Sequence, residues 1–184
     1  MDGVIRTRVG YAGGQKKDPT YHSLGDHSET IQIDYDPTRI SYKQLLSIFW
    51  NSHNPTSRAW SRQYMSVIFY HDDKQRQLAL ETKAVEESQR NKKIQTEILS
   101  FSNFYLAEDY HQKYELRRNT ELMREFNAMY PRDIDFINST AAARVNGYLG
   151  GYGTSEEVKA AIESLGLSPA GQERLLAIAN RWKN

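Results

Sequence analysis

Four segments of the chain carry the hydrophobic pattern of β-strands. Residues 4–11 are rich in β-formers and end at a pair of glycines, and residues 29–35 alternate between apolar and polar side chains. Residues 64–70 and 94–99 show similar β-type patterns. An alternation of period two is typical of a half-buried strand, so we predict a strand at each segment.

Helical patterns lie between and after these strands. Ser41 and Gln44 form a capping-box sequence before an apolar run to residue 50, and Asp72 or Asp73 can cap a charged helix that ends near residue 90. Residues 108–126 are charged and also predict a helix. Two short helices are expected to begin after Thr154 and after Ser168.

The order of these elements predicts an α+β fold. Strand, helix, strand, helix and strand follow one another, which favours a mixed sheet with helices packed on it, of the ferredoxin-like or split βαβ sandwich type. The composition shifts towards small and helix-forming residues near residue 130. We therefore predict an α+β domain over residues 1–129 and a C-terminal helical extension over residues 130–184.

Composition narrows the range of functions. The 184 residues carry 24 Lys and Arg against 23 Asp and Glu, so the net charge of +1 gives no overall field to attract nucleic acid or an anionic membrane. No stretch approaches the about 18 consecutive apolar residues of a membrane span. The sequence contains no Cys, which excludes a disulfide, a thiolate metal site or a thiol nucleophile within these residues. We expect a soluble, cytoplasmic protein; an organellar one is not excluded.

Three polar clusters adjoin the predicted strand ends, where loops often carry function. The glycine-rich residues 10–14 lack the lysine and the helix of a phosphate-binding loop, so a tight turn is the simpler interpretation. Glu29, at the start of a strand, can act as a proton donor if nearby aromatic rings desolvate it; the alternative is a solvated acid. In the third cluster, residues 53–64, the hydroxyl of Tyr64 can donate to a ligand oxygen; the alternative is a tyrosine at the rim of the core.

Other residues favour structural roles. His22, Asp26 and His27 are candidate metal ligands, but the five His of the chain show no metal-binding spacing, so we expect no metal site. The apolar stripe of α-helical spacing, Leu45, Ile48 and Phe49, is interpreted as core. Packing is also the simpler role for Tyr11, Trp50, Tyr105 and Tyr110.

Many ordered motifs resemble the A-class peptide methionine sulfoxide reductases. They are TRVGYAGG at residues 7–14, PTY at 19–21, HSE at 27–29, YDP at 35–37, HNPT at 53–56, RQY at 62–64, TEI at 96–98 and AEDYHQKY at 107–114. The resemblance runs from Val4 to about Tyr114.

This resemblance implies an oxidoreductase that repairs oxidative damage. Members of the family reduce the S-epimer of methionine sulfoxide, free or in oxidised proteins and peptides, through a thiolate that thioredoxin or small thiols regenerate. No bound cofactor or metal is implied. The motif positions suggest that Glu29, Tyr21 and Tyr64 supply protons to the sulfoxide oxygen and hold it.

The sequence also departs from the family pattern. The family's Gly-Cys-Phe-Trp motif, which supplies the nucleophile and an apolar cage, is absent, and Ala59 stands where an Asp is expected five residues before Tyr64. The chain opens almost directly on a strand, which suggests a shortened variant of a reductase. The alternative is a module that binds peptides or methionine sulfoxide without catalysis.

Overall fold

A computed structural model describes residues 2–183, with side chains described up to residue 181. Its strands are β1 (Val4–Ala12), β2 (Ser28–Tyr35), β3 (Val67–Tyr70), β4 (Glu97–Ser100) and β5 (Phe104–Leu106). Its α-helices are α1 (Tyr42–Asn51), α2 (Asp73–Arg90), α3 (Tyr114–Arg117), α4 (Thr120–Met129), α5 (Asp133–Asn138), α6 (Thr140–Leu149), α7 (Ser155–Ala161) and α8 (Pro169–Ala179). The predicted α+β class with additional C-terminal helices is confirmed.

The strands form two small sheets in the described part of the chain. One has the order β2-β1-β5, with β1 antiparallel to β5 so that Tyr11 is opposite Tyr105. The other pairs β3 with β4 in parallel, and α2 is the crossover between them. A parallel pair needs such a long connection, which explains the strand-helix-strand pattern of the sequence.

Side-chain caps fix the starts of several helices. Ser41 and Gln44 form the predicted capping box of α1, and the Asp72 side chain accepts from the Gln75 amide to cap α2. Thr154 caps α7 and Ser168 caps α8. Each cap satisfies an amide that has no partner within the helix, so these boundaries follow from local sequence.

The chain divides into two compact units. One contains residues 9–31 and 36–107; the other contains the described residues of 2–8, 32–35 and 108–183. In the first unit Trp50 and Leu46 from α1 pack in a core with Ile68, Ala79 and Ile94. The core of the second unit is formed by helical side chains, including Leu116, Leu122, Phe126, Phe136, Val145, Val158 and Leu175. The predicted domain boundary at residue 130 stays a prediction.

Three details of the predicted elements are wrong. In α1 the buried residues are Leu46 and Trp50; of the predicted stripe, Phe49 packs against this core but Ile48 is 43% exposed. Tyr110 is exposed instead of packed in a core, unlike the buried Tyr11. Tyr64 lies in a 3-10 turn, Arg62–Tyr64, ahead of β3 rather than within the strand.

The predicted helix over residues 108–126 is broken into shorter pieces. A 3-10 turn at Asp109–His111 precedes α3, and Lys113 between them has a φ of +53°, in the left-handed region. The Lys113 ammonium donates to the Thr7 carbonyl and, at 3.1 Å, to the Thr7 hydroxyl. This long-range anchoring of a buried lysine interrupts the helix that local propensity favours.

No α-helix within the described residues combines the length and the hydropathy that a membrane crossing requires.

Candidate active site

Tyr21, Glu29 and Tyr64 come from three different segments of the first unit. Tyr21 lies in the long loop between β1 and β2, Glu29 is the second residue of β2, and Tyr64 ends the 3-10 turn before β3. The structure brings all three together with Gln63. We call these four side chains the tyrosine-glutamate site.

Direct hydrogen bonds join these four side chains. The hydroxyl oxygens of Tyr21 and Tyr64 are 3.3 Å apart. The Gln63 side-chain amide donates to Glu29 Oε1 at 2.7 Å and to the Tyr64 hydroxyl at 3.2 Å. The two hydrogens of one carboxamide can therefore bridge the acid to the tyrosine pair.

The tyrosine pair shares one hydrogen bond. Either hydroxyl can donate to the other, and the Tyr64 oxygen also accepts from Gln63. The hydrogen bond with Tyr21 is the largest cause that raises the pKa of Tyr64, to about 12. Partial desolvation and the charges of Tyr21 and Glu29 are the smaller causes. The Tyr64 hydroxyl therefore keeps its proton to a higher pH than an ordinary tyrosine does.

The tyrosine-glutamate site opens to solvent. Tyr64 is 42% exposed, Glu29 is exposed and Tyr21 is half-buried. The predicted desolvation of Glu29 by aromatic neighbours is not observed. A ligand oxygen can reach the hydroxyls and the carboxyl directly from water.

The loop that carries Tyr21 is shaped by Asp26. Its carboxylate accepts from the backbone amide of Gln15 at 2.9 Å and from that of Lys16 at 3.2 Å. These hydrogen bonds from Gln15 and then Lys16 lower the pKa of Asp26, because they favour the charged form. Asp26 therefore organises the loop and remains ionised.

His27 is committed to the same loop. Its side chain is fully buried, Nδ1 accepts from the Gly14 amide at 3.1 Å, and Nε2 donates to the Lys16 carbonyl at 2.8 Å. Both ring nitrogens are used within the protein, so the ring is a neutral structural linker. The described residues include no cluster of three or more His, Asp or Glu side chains that could hold a metal ion.

The glycine-rich residues 10–14 are closely packed, and the predicted tight turn is wrong for residues 10–12, which belong to β1. Gly13 has a φ of +82°, and a Cβ added there would lie 2.6 Å from the Phe69 ring. A Cβ on Gly14 would lie 2.5 Å from Asp26 Oδ1 and 2.7 Å from the backbone nitrogen of His27. Any side chain at Gly14 would therefore displace the Asp26 and His27 contacts that shape the loop.

Arg62 ties the turn that carries Tyr64 to the loop. Its guanidinium donates to the Asp26 carbonyl at 2.6 Å and to the Gly13 carbonyl at 3.4 Å, while its own carbonyl accepts from the Ser28 hydroxyl at 2.8 Å. These contacts connect the segments bearing Tyr21, Glu29 and Tyr64.

Sequence reasoning assigned no role to Arg62 or Gln63. Both belong to the RQY motif at residues 62–64, but Asp26, the partner of Arg62, and Glu29, the partner of Gln63, are 34 or more residues away, so no local signal in one sequence points to them.

The histidine of the third polar cluster is structural. His53 Nδ1 donates to the Phe49 carbonyl at 3.0 Å, and Nε2 accepts from the Ser66 hydroxyl at 2.8 Å. Ser66 also bonds the Thr96 hydroxyl at 2.8 Å, so this chain links the end of α1 to the starts of β3 and β4. Ala59 is exposed.

Two family profiles match the chain. That of peptide methionine sulfoxide reductase covers residues 1–144, and that of the helical domain of selenoprotein methionine sulfoxide reductase A covers residues 132–176. The second match falls on the helices that follow α4.

Individual relatives agree with these matches. A peptide methionine sulfoxide reductase of Drosophila melanogaster is 46% identical over 93% of this chain and 69% of its own length. Peptide methionine sulfoxide reductase A5 of Oryza sativa subsp. japonica is 40% identical over 80% of this chain and 60% of its own length. The crystal structure of Mxr1 from Saccharomyces cerevisiae in reduced form superposes with a TM-score of 0.61 at 28% identity, over 65% of this chain and 74% of that one. The chain thus spans about two thirds of the length of the first of these curated relatives and about three fifths of the length of the second.

Proposed function

The chain belongs to the peptide methionine sulfoxide reductase family, and from that premise we propose that its tyrosine-glutamate site binds the oxygen of methionine-S-sulfoxide, in peptides or as the free amino acid, for reduction to methionine. The observation that carries the proposal is the group formed by Tyr21, Tyr64 and Glu29, with Gln63 bridging the acid to the tyrosines. Oxidised proteins and peptides are then the substrates.

The donors match the chemistry of a sulfoxide. Its oxygen carries partial negative charge and accepts hydrogen bonds, and it gains charge as a nucleophile attacks sulfur. The Tyr21 and Tyr64 hydroxyls, 3.3 Å apart, can turn their hydrogens towards that oxygen and donate to it. The Glu29 carboxyl is joined to the tyrosine pair through Gln63, so we assign it the transfer of a proton to the departing oxygen, which leaves as water.

The complete reaction also needs two thiol groups. One thiolate attacks the sulfoxide sulfur, a second resolves the product, and the sum is sulfoxide plus two thiols giving sulfide, a disulfide and water. The sequence contains no Cys, and neither Ser nor Tyr is an equivalent soft nucleophile. The thiols must come from outside these 184 residues, with thioredoxin or a small thiol as the external reductant.

The absence of Cys favours a second candidate function for the chain as given. Without a thiolate, the tyrosine-glutamate site binds a sulfoxide and does not turn it over. The 184 residues then act as a binding module for methionine sulfoxide or oxidised peptides. The cytoplasmic location and the lack of a nucleic-acid partner stay predictions.

Calorimetric titration tests the proposed binding. N-acetyl-methionine-S-sulfoxide should bind more tightly than its R-epimer or N-acetyl-methionine. Tyr64→Phe should weaken this binding by about two- to tenfold, the range of one net hydrogen bond. Tyr152→Phe is the matched control, because Tyr152 is an exposed tyrosine of the other unit, and it should leave the affinity unchanged.

One result would overturn the proposal, and another would exclude the second candidate function. Equal affinity for the sulfoxide and for N-acetyl-methionine would mean that the oxygen is not recognised. Methionine formation by the chain above the rate of dithiothreitol alone would exclude binding without turnover.

A further inference from the structure

Trp60 is the most exposed large hydrophobic side chain among the described residues. It is 83% exposed, compared with 76% for Tyr152 and 42% for Tyr64. A solvated indole leaves a large apolar surface in water, and tryptophan is enriched where proteins bind partners or ligands. The packing of the protein alone does not account for this position.

The indole adjoins the tyrosine-glutamate site. The Trp60 and Tyr64 ring centroids are 5.0 Å apart with the planes tilted by 39°, a normal distance for an aromatic pair. The same Tyr64 carries the hydroxyl that bonds Tyr21 and Gln63. The indole therefore borders the ring that contributes one of the two hydroxyls of the site.

The segment that carries Trp60 is anchored on its C-terminal side. Ser61 precedes the 3-10 turn, and its carbonyl accepts from the Tyr64 amide at 3.3 Å. Arg62 fixes the turn through its bonds to the Asp26 and Gly13 carbonyls. The indole is thus presented by an ordered turn, which reduces the entropy lost on binding.

The position of Trp60 beside Tyr64 suits the residue next to methionine sulfoxide in a peptide. Consecutive Cα atoms are about 3.8 Å apart, so the side chain of a neighbouring residue stays close to the methionine sulfoxide. With the sulfoxide oxygen at the tyrosine hydroxyls, a flanking side chain can therefore cover the indole. Free methionine sulfoxide has charged amino and carboxylate groups instead of such a side chain.

We propose that Trp60 is a specificity-determining residue of this site, whose indole binds the apolar side chain flanking methionine sulfoxide in a peptide. The ligand class is a peptide-bound sulfoxide with an aliphatic or aromatic neighbour, preferred over the free amino acid. This inference rests on the proposed function of the tyrosine-glutamate site.

Equilibrium binding can test the inference directly, because the chain has no Cys to consume the ligand. Three probes are used. Two are blocked tripeptides with methionine-S-sulfoxide between two leucines or between two glycines, and the third is free methionine-S-sulfoxide. The wild type should bind the leucine-flanked peptide about tenfold more tightly than the glycine-flanked one. Trp60→Ala should reduce that preference to less than about twofold, with little effect on the glycine-flanked peptide.

Two matched variants separate the role of Trp60 from others. Tyr152→Ala removes another highly exposed aromatic side chain and should keep the preference for leucine. Tyr64→Phe should weaken both peptides equally and leave their ratio unchanged.

The failures of the two proposals are distinguishable. If both peptides bind in a Tyr64-dependent manner but leucine gives no advantage, or if Trp60→Ala weakens both peptides equally, the role of Trp60 is refuted and the proposed function stands. If wild type binds no sulfoxide more tightly than the corresponding methionine peptide, the proposed function itself falls, and the role of Trp60 with it.

Discussion

Replacing Tyr21 by Phe should lower the pKa of Tyr64. The hydrogen bond to Tyr21 is the largest cause of the rise from the ordinary value of 10.0 to about 12, and the Tyr21 charge is a further cause. The substitution removes both and leaves desolvation and Glu29. We therefore expect the Tyr64 pKa to fall by more than half of the distance back to 10.0.

The sign of the accompanying change in stability follows from linkage. Because the folded-state pKa of Tyr64 lies above its unfolded value, its contribution to stability is fully present below about pH 10 and is lost as the pH rises towards 12. In Tyr21→Phe this loss should move to lower pH and become smaller.

NMR of ζ-carbon-labelled tyrosine can follow this titration residue by residue among the 12 tyrosines of the chain. Tyr64→Phe assigns the signal, and Tyr152→Phe is the control that should leave the Tyr64 pKa unchanged. A Tyr64 pKa that stays near 12 in Tyr21→Phe would refute the hydrogen bond as its main cause.

Three further substitutions test the scaffold. Phe126→Ala, at a fully buried position, should lower the free energy of unfolding by about 3–5 kcal/mol in urea titrations; a loss below about 1 kcal/mol would contradict its place in the helical core. Asp72→Ala removes the acceptor 2.7 Å from the Gln75 amide and should cost about 1 kcal/mol by the same assay, whereas no loss would contradict the cap. Burial is the larger cause and the Arg8 charge the smaller cause that lower the pKa of Lys113 to about 8. The unfolded chain then binds more protons between pH 8 and 10.5, so stability should rise over that range. Lys113→Met should abolish the rise, and a rise that persists in the variant would assign it to other groups.

Local signals were sufficient for most helix starts. The sequence predicts caps at Ser41, at Asp72 or Asp73, at Thr154 and at Ser168. In the structure Ser41, Asp72, Thr154 and Ser168 each accept from a backbone amide three residues further on. Capping depends on neighbouring residues alone, which is why the sequence is enough. The exposure of Ile48 in α1 was not predicted, since it depends on what packs against the helix.

Non-local contacts account for what the sequence did not predict. The break at Lys113 depends on Thr7, more than a hundred residues away, and so contradicts the helical pattern around it. The family motifs led to Tyr21, Glu29 and Tyr64 as site residues, and the structure brings them together. The bridging role of Gln63 and the anchoring role of Arg62 needed the folded chain, because their partners come from other segments.

The most direct test of the central claim is to titrate the tyrosine-labelled protein with N-acetyl-methionine-S-sulfoxide. If the two hydroxyls bind the sulfoxide oxygen, the Tyr21 and Tyr64 ζ-carbon signals should shift with this ligand, and shift less with the R-epimer or with N-acetyl-methionine. Signals that stay in place, or that respond equally to N-acetyl-methionine, would contradict recognition of the sulfoxide oxygen at the tyrosine-glutamate site.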